Sequence, residues 1–189
     1  MNISSYIFEL QSTVITASSN YEIWWVYIGG ETRRLYIDDM NDYVDFFRSS
    51  IHAHFVATVI ALYRLYESRN DTYNIPRFLY HCREKKLLDD TVIKNFEIEV
   101  RSVKPIWKKV NILRNKAFAH RTQELSLDDV FSEAGITPNQ IRDLIENSKF
   151  FLNKLSTELG LETHAFNLST KGSVIALLET LKRDRNATL

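Results

Sequence analysis

The chain has 189 residues, of which 44% are hydrophobic and 25% charged, and its 24 basic and 24 acidic side chains cancel. This size and composition fit a single soluble domain with a sizeable core, and zero net charge argues against a protein that coats nucleic acid. The lone cysteine, Cys82, excludes an internal disulfide and a thiolate metal cluster. No apolar run approaches the roughly 18 residues of a membrane span, and residues 1–5 lack a signal-peptide pattern, so we expect a cytoplasmic protein.

The first half of the sequence predicts two long helices. One covers residues 4–28 and ends at Gly29-Gly30, a strong stop signal. The next begins after Asp42, which is expected to cap it, and runs to about Ser68. This helix is apolar on two sides, as in a helix at the centre of a bundle or one partly covered by a second subunit. Its first stripe consists of Val44, Phe47, Ile51, Phe55, Leu62 and Leu65, and its second of His52, Val56, Val59, Tyr63 and Tyr66.

The later elements follow from local start signals. Residues 69–74 form a polar loop, and Ile75-Pro76 then opens a shorter helix to about Lys86. Residues 121–136 are expected to be loop with a short helix. A capping threonine, a proline and a glutamine in Thr137-Pro138-Asn139-Gln140 predict a helix that runs to Gly160. A last helix covers residues 170–184 and precedes a basic, frayed tail.

Strand-type alternation of useful length is absent from the sequence, and five glycines and three prolines are few for this length. The predicted fold is therefore all-α, an up-and-down bundle of about five to seven helices.

The fourth helix, which starts near Asp89 and Asp90, carries the most informative residue. Arg114 falls within its apolar stripe, where a guanidinium is unfavourable unless it is paired or binds an anion. Pro105 is expected to kink or break this helix near Lys104. The stripe consists of Val92, Phe96, Val100, Val103, Trp107, Val110 and Ala117.

The segment around Arg114 is basic. Residues 101–121 contain seven lysines and arginines and no acidic side chain. A solvated helix face would account for the charge by itself. His120 follows six residues after Arg114, however, and its imidazole titrates near neutral pH. Together the arginine, the histidine and the basic surroundings predict phosphate chemistry.

Arg114-Asn115 followed by His120 resembles the signature of the HEPN superfamily, in which an arginine, a polar residue and a histidine recur at close spacing. More narrowly, the chain resembles the abortive-infection AbiU-type (AbiU2-like) branch. The resemblance spans residues 42–160 of one expected domain, residues 1–189, with 1–40 as an N-terminal helical extension and 161–189 as a C-terminal helix and tail. The matching segments are residues 61–66, 75–79, 113–116 and 118–121.

The resemblance implies a compact, HEPN-like helical bundle that dimerises with its motifs facing each other. In many members it also implies a metal-independent ribonuclease, without a cofactor, that acts through the ribose 2′-OH. In that case His120 would be the general acid/base, Arg114 would stabilise the phosphate and the transition state, and Asn115 would be an orienting group. Lys108, Lys116 and Arg121 would steer the RNA backbone.

Geometry limits what a single chain can do with this motif. On an ideal helix Arg114 and His120 diverge by about 120°, and the Asn115 side chain is expected to point well away from Arg114. One histidine also cannot easily reach both the attacking and the leaving oxygen. We therefore hypothesise a two-fold dimer that places two motifs in one cleft.

Alternatives remain at the level of the sequence. Arg114 could pair with a buried carboxylate of another helix, and His120 could be favoured at a helix C-terminus by the dipole. The protein could then be a non-catalytic module that binds a nucleotide or a protein partner, such as an antitoxin or regulator, or a helical bundle of unrelated ancestry.

The other histidines lack the spacing of metal ligands, so no metal is predicted. Tyr63, Tyr66, Tyr73, Phe78 and Tyr80 are interpreted as core or interface residues rather than a base-stacking platform.

Overall fold

The computed structural model describes residues 2–115, 127–168 and 170–188. These residues form eight α-helices and no strand, which confirms the predicted all-α bundle. The helices are α1 (Ile3–Ile28), α2 (Gly30–Asn41), α3 (Val44–Tyr66), α4 (Ile75–Glu84), α5 (Asp90–Arg114), α6 (Leu127–Ala134), α7 (Pro138–Glu158) and α8 (Thr170–Thr188). None of the helices within these ranges is long and apolar enough to cross a membrane.

Helix α3 lies at the centre of the bundle, where it packs against α1, α2, α4 and α5. Most of its two apolar stripes is covered by other helices of the same chain, whereas Val44 of the first stripe and His52 of the second are exposed. Residues of α1, α3, α5 and α7 form the main core, and Leu10, Leu62, Phe96 and Leu152 are almost fully buried there. A smaller cluster joins α1, α2, α3 and α8 through residues such as Tyr36, Phe47 and Leu178.

The prediction that Asp42 caps α3 is wrong. Asp42 ends the additional helix α2, and Tyr43 is the residue that precedes α3. Helix α2 is largely polar and buries only Tyr36, Asp39 and Met40, so its apolar periodicity is too short to stand out in the sequence.

Helix α5 runs through Pro105 without a break, contrary to one of the two outcomes expected there. Pro105 and Arg101 are both exposed, so the carbonyl that lacks an amide partner lies on the solvent side of the helix. The predicted stripe packs against the core along the described part of α5, with Phe96 and Val110 buried. Ile93 and Leu113, which are also fully buried, were not included in it.

The C-terminal segment is more ordered than predicted. Helix α8 continues to Thr188 instead of fraying after residue 184. Arg185 anchors its end to α2, because its guanidinium lies 3.5 Å from Asp39, 3.3 Å from Asp42 and 3.7 Å from Asp38. These ion pairs connect residues far apart in sequence, so local composition gave no sign of them.

The start signal at Thr137 and the stop signal at Gly29 are confirmed. Thr137 forms a capping box with Gln140 at the start of α7, and the Gly29 amide closes α1 by donating to the Trp25 carbonyl. A Cβ at Gly29 would lie 2.7 Å from that carbonyl oxygen, which explains why glycine is required there.

Candidate functional site

Arg114 is the last residue of α5, and its side chain is half-buried against α3. Its guanidinium carbon lies 4.2 Å from the centre of the Tyr63 ring, a cation–π contact. Its Nη1 donates a hydrogen bond to Asn115 Oδ1 at 3.1 Å. Among the described residues no carboxylate forms an ion pair with Arg114. In this part of the chain there is therefore no buried carboxylate with which Arg114 forms the structural pair proposed as an alternative.

The angles of an ideal helix predict that the Asn115 side chain points away from Arg114. In the structure the two side chains are in contact. The Asn115 amide donates to the carbonyls of Asn111 and Ile112, and the long Arg114 side chain reaches the Asn115 amide oxygen. Asn115 thus orients the guanidinium through a direct hydrogen bond. The predicted role of Asn115, to orient a phosphate or the His120 ring, stays a prediction.

Tyr63 is itself fixed by α5. Its ring stacks on the Trp107 indole, with 5.9 Å between ring centres and 20° between planes. Trp107 Nε1 also donates to the Tyr63 carbonyl at 3.1 Å. The aromatic pair therefore forms a rigid support beneath Arg114, and Tyr63 is half-buried rather than part of the core interior. Sequence reasoning missed this function of Tyr63, although it had placed Trp107 and Arg114 two helical turns apart on one stripe.

The remaining aromatic residues of that group divide between core and surface. Tyr66 and Phe78 are buried, and the Tyr66 hydroxyl contacts Ser148 Oγ at 2.7 Å. Tyr73 and Tyr80 are exposed.

The basic side chains of α5 fall into two groups. Lys109 is half-buried and donates to the Gly135 carbonyl, so it ties α5 to the turn before α7. Arg101, Lys104 and Lys108 are exposed and form no ion pair with a carboxylate in the described part of the chain. Lys108, one of the three predicted RNA contacts, is thus exposed, and its contact with RNA stays a prediction.

Four predicted residues lie outside the described residues: Ala117 of the apolar stripe, and His120, Lys116 and Arg121 of the site. The arrangement of His120 relative to Arg114 stays a prediction. The structure thus brings together Arg114, Asn115, Tyr63 and Trp107 through direct contacts. Lys108 lies six residues before Arg114 on α5 and projects about 120° away from it.

The described histidines have local structural partners. His54 Nδ1 lies 2.7 Å from Asn20 Oδ1, and burial lowers the pKa of His54. His164 Nδ1 accepts a hydrogen bond from the Phe166 amide, and burial and the nearby Arg77 lower the pKa of His81. Burial also raises the pKa of the Cys82 thiol to about 11, which keeps it protonated and unreactive near pH 7. Within the described ranges no group of three or more His, Cys, Asp or Glu side chains could hold a metal ion.

Comparison with known proteins identifies one family. The family model described as AbiU2, of the HEPN type, matches residues 7–174, which include the whole of α5 and the Arg114–His120 segment. The match covers α1 from residue 7 onward and ends within α8. The same comparisons found no matching curated protein and no matching solved structure.

Proposed function

The chain belongs to the HEPN AbiU2 family, and we propose that this abortive-infection-type module is a metal-independent endoribonuclease. The proposal includes a single domain over residues 1–189, a cytoplasmic RNA target, a homodimer and regulation by an antitoxin or another protein partner.

The observation that carries the proposal is the environment of Arg114. Its guanidinium is supported by the Tyr63 ring and oriented by Asn115, and no described carboxylate neutralises it. An arginine positioned in this way can bind two non-bridging phosphate oxygens at once. It can also stabilise the charge that builds up on those oxygens in the transition state, without reorganisation during the reaction.

The chemistry needs a proton acceptor and a proton donor. A base removes the proton of the ribose 2′-OH, the 2′ oxygen attacks phosphorus, and the bond from phosphorus to the 5′ oxygen breaks. An acid donates a proton to that leaving oxygen, and the products are a 2′,3′-cyclic phosphate and a 5′-hydroxyl. We assign the proton transfers to His120, whose imidazole can perform either one near pH 7.

A site shared by two protomers would contain two His120 side chains, one for each of the two proton transfers. In a two-fold dimer, the His120 side chains of the two protomers could serve one phosphate, one as base and one as acid. Lys108, Lys116 and Arg121 would hold the neighbouring phosphates and make RNA binding dependent on salt.

The decisive experiment is RNA cleavage in EDTA by the parent protein, Arg114→Ala and His120→Ala. We expect both variants to lose most of the activity. His52→Ala and Arg34→Ala, which change exposed residues of α3 and α2, serve as matched controls and should cleave like the parent. Equal cleavage by all five proteins would eliminate the assignment, and cleavage by a strictly monomeric chain would eliminate the shared site. A parent that binds RNA without cutting it would be a non-catalytic module.

A further inference from the structure

A cavity of about 250 Å³ lies beside α5, and its wall includes Trp107, which stacks on the Tyr63 ring beneath Arg114. We call it the Trp107 pocket, after the indole in its wall. Its other relevant lining residues are Ser68, Val100, Arg101, Val103 and Lys104. Trp107 connects the pocket to the candidate site, because its ring stacks on Tyr63, whose ring in turn contacts the Arg114 guanidinium.

The pocket combines an apolar interior with a cationic mouth. Val100, Val103 and Trp107 are half-buried and pack against the core, whereas Arg101 and Lys104 are exposed at the rim. None of the described lining residues is acidic. A flat apolar ring attached to an anion complements such a surface, whereas an apolar protein segment would have to cover both cations without neutralising them.

The size of the pocket restricts the ligand further. Whole drug-sized ligands occupy cavities of roughly 300–1,000 Å³, so 250 Å³ suits one planar ring system with its sugar and phosphate outside. The indole is held in place before any ligand arrives, by the stack on Tyr63 and the hydrogen bond to its carbonyl. A fixed aromatic wall beside cations is the arrangement with which proteins bind single-stranded nucleic acid.

The neighbouring cavity along α5 indicates in which direction a bound RNA strand would run. It shares Val100 and Val103 with the Trp107 pocket but includes Glu99, whose carboxylate is paired with Lys154. On the Glu99 side the cation Lys154 is already paired with a carboxylate, whereas Arg114, on the other side of Trp107, forms no ion pair with a described carboxylate and attracts phosphate. A strand bound in the pocket would therefore extend toward Arg114.

We propose that the Trp107 pocket binds the base of a nucleotide adjacent to the cleaved phosphate, with Arg101 and Lys104 contacting the neighbouring phosphates. This inference rests on the proposed function and adds to it a subsite that makes recognition depend on a base. Arg101 and Lys104 belong to the same acid-free segment as Arg114, and Trp107 to the same helix.

The test uses a single-stranded, 2′-O-methylated RNA, which lacks the nucleophile and cannot be cut by 2′-OH attack. One abasic nucleotide is placed at each position in turn, and affinities for the full-length protein are measured by fluorescence anisotropy. In the parent we expect one position at which removal of the base weakens binding by about 5- to 150-fold, the range of a stacked base. Ser68→Leu, which fills the mouth from an exposed position, should abolish that dependence, as should Trp107→Leu. Ser68→Ala and Lys94→Ala are the matched controls.

The outcomes separate this subsite from the nuclease activity. If the parent cleaves RNA but the dependence is absent or persists in Ser68→Leu, the subsite is refuted and the nuclease proposal stands. If the dependence is present and lost in Ser68→Leu while no RNA is cut, the pocket is a nucleobase site and the nuclease proposal fails. If Ser68→Leu changes the sedimentation coefficient of the protein instead of its RNA affinity, the pocket is a protein contact and the inference is wrong. If Trp107→Leu does not fold, the result for Ser68→Leu alone tests whether the pocket binds a base.

Discussion

Two arginines at the ends of helices have opposite environments in this protein. Arg185, near the end of α8, lies within 3.7 Å of three carboxylates of the α2 segment, one of which, Asp39, is buried. Arg114, at the end of α5, lies on an aromatic ring and contacts a neutral amide, with no ion pair to a described carboxylate. Both guanidinium groups contact their neighbours, but among the described residues only Arg185 has carboxylates around it.

The difference separates two uses of a cation. Arg185 compensates charges that the fold itself has gathered, so its contribution is to stability. An aromatic face orients a guanidinium while leaving its charge uncompensated, which preserves its attraction for an incoming phosphate. The same contrast exists within the cationic side chains around α5, because Arg83 and Lys154 are paired with Glu97 and Glu99, whereas Lys108 has no described acidic partner.

The largest expected effect is on catalysis. Arg114→Ala should lower the single-turnover cleavage rate about 10²- to 10³-fold, the loss typical of removing one transition-state donor. Arg114→Lys should recover little of it, since an ammonium lacks the planar fork that binds two oxygens. Arg185→Ala should cleave at the parent rate per folded molecule. Equal losses of rate and of thermal stability in Arg114→Ala and Arg185→Ala would show that both arginines are structural.

The second effect is on stability. Arg185→Ala should lower the free energy of unfolding by about 1–3 kcal/mol, because the buried Asp39 carboxylate loses its partner. Urea denaturation gives this value, and Asp39→Asn in the Arg185→Ala background should restore part of it. Arg183→Ala is the control, since Arg183 is exposed on the same helix and donates a hydrogen bond to Thr180 of that helix. A loss as large in Arg183→Ala would mean that the helix end, rather than the ion pairs, is responsible.

The elements that the sequence predicted are those with local signals. The capping box at Thr137, the proline after Asn74 and the stop at Gly29 depend on residues only a few positions apart, so they can be recognised without the fold. Helix α2 was missed because only three of its residues are buried, and the end of α8 because its stability depends on the ion pairs of Arg185 with α2.

The candidate site shows the same limit. Arg114 stood out because a cation interrupted an apolar stripe and matched a family signature, both visible along one helix. Tyr63, 51 positions earlier in the chain, gave no such sign, because its contact with Arg114 depends on how α3 and α5 pack. Asn115 was misjudged because the angle between neighbouring positions of a helix leaves out the length of the arginine side chain, which reaches Asn115 Oδ1.

The third effect is a pH dependence of the α2–α8 contact. The hydrogen bond from Tyr36 to Glu179, together with burial, raises the pKa of Tyr36 to about 12, against about 10 in an unfolded chain. Between pH 10 and 12 the unfolded chain therefore loses the phenolic proton while the folded protein keeps it. The unfolded state then binds fewer protons, so the free energy of unfolding falls as the pH rises. The contribution of Tyr36 is complete below pH 10 and is lost by about pH 12.

Tyr36→Phe should consequently make this alkaline fall shallower in denaturation curves recorded from pH 9 to 12. Tyr21 and Tyr66, whose pKa values are also raised to about 12, contribute a common background in all variants. Tyr43→Phe, at an exposed position just before α3, is the matched control and should retain the parent slope. An identical slope in Tyr36→Phe and the parent would show that the phenol does not couple α2 to α8.

The smallest effect concerns Lys108 and salt. For single-stranded nucleic acid the slope of log K against log salt concentration changes by about 0.7 for each phosphate neutralised, so Lys108→Ala should make the slope shallower by about that amount. Arg83→Ala should leave it unchanged, because Glu97 already pairs with Arg83 at 2.9 Å. Anisotropy titrations of 2′-O-methylated RNA at several salt concentrations give both slopes. Slopes reduced equally would mean that total charge, not the absence of an acidic partner, governs RNA binding. The slope is more informative than a single Kd, because a variant that only loosens the fold displaces the whole line without changing the number of counterions released.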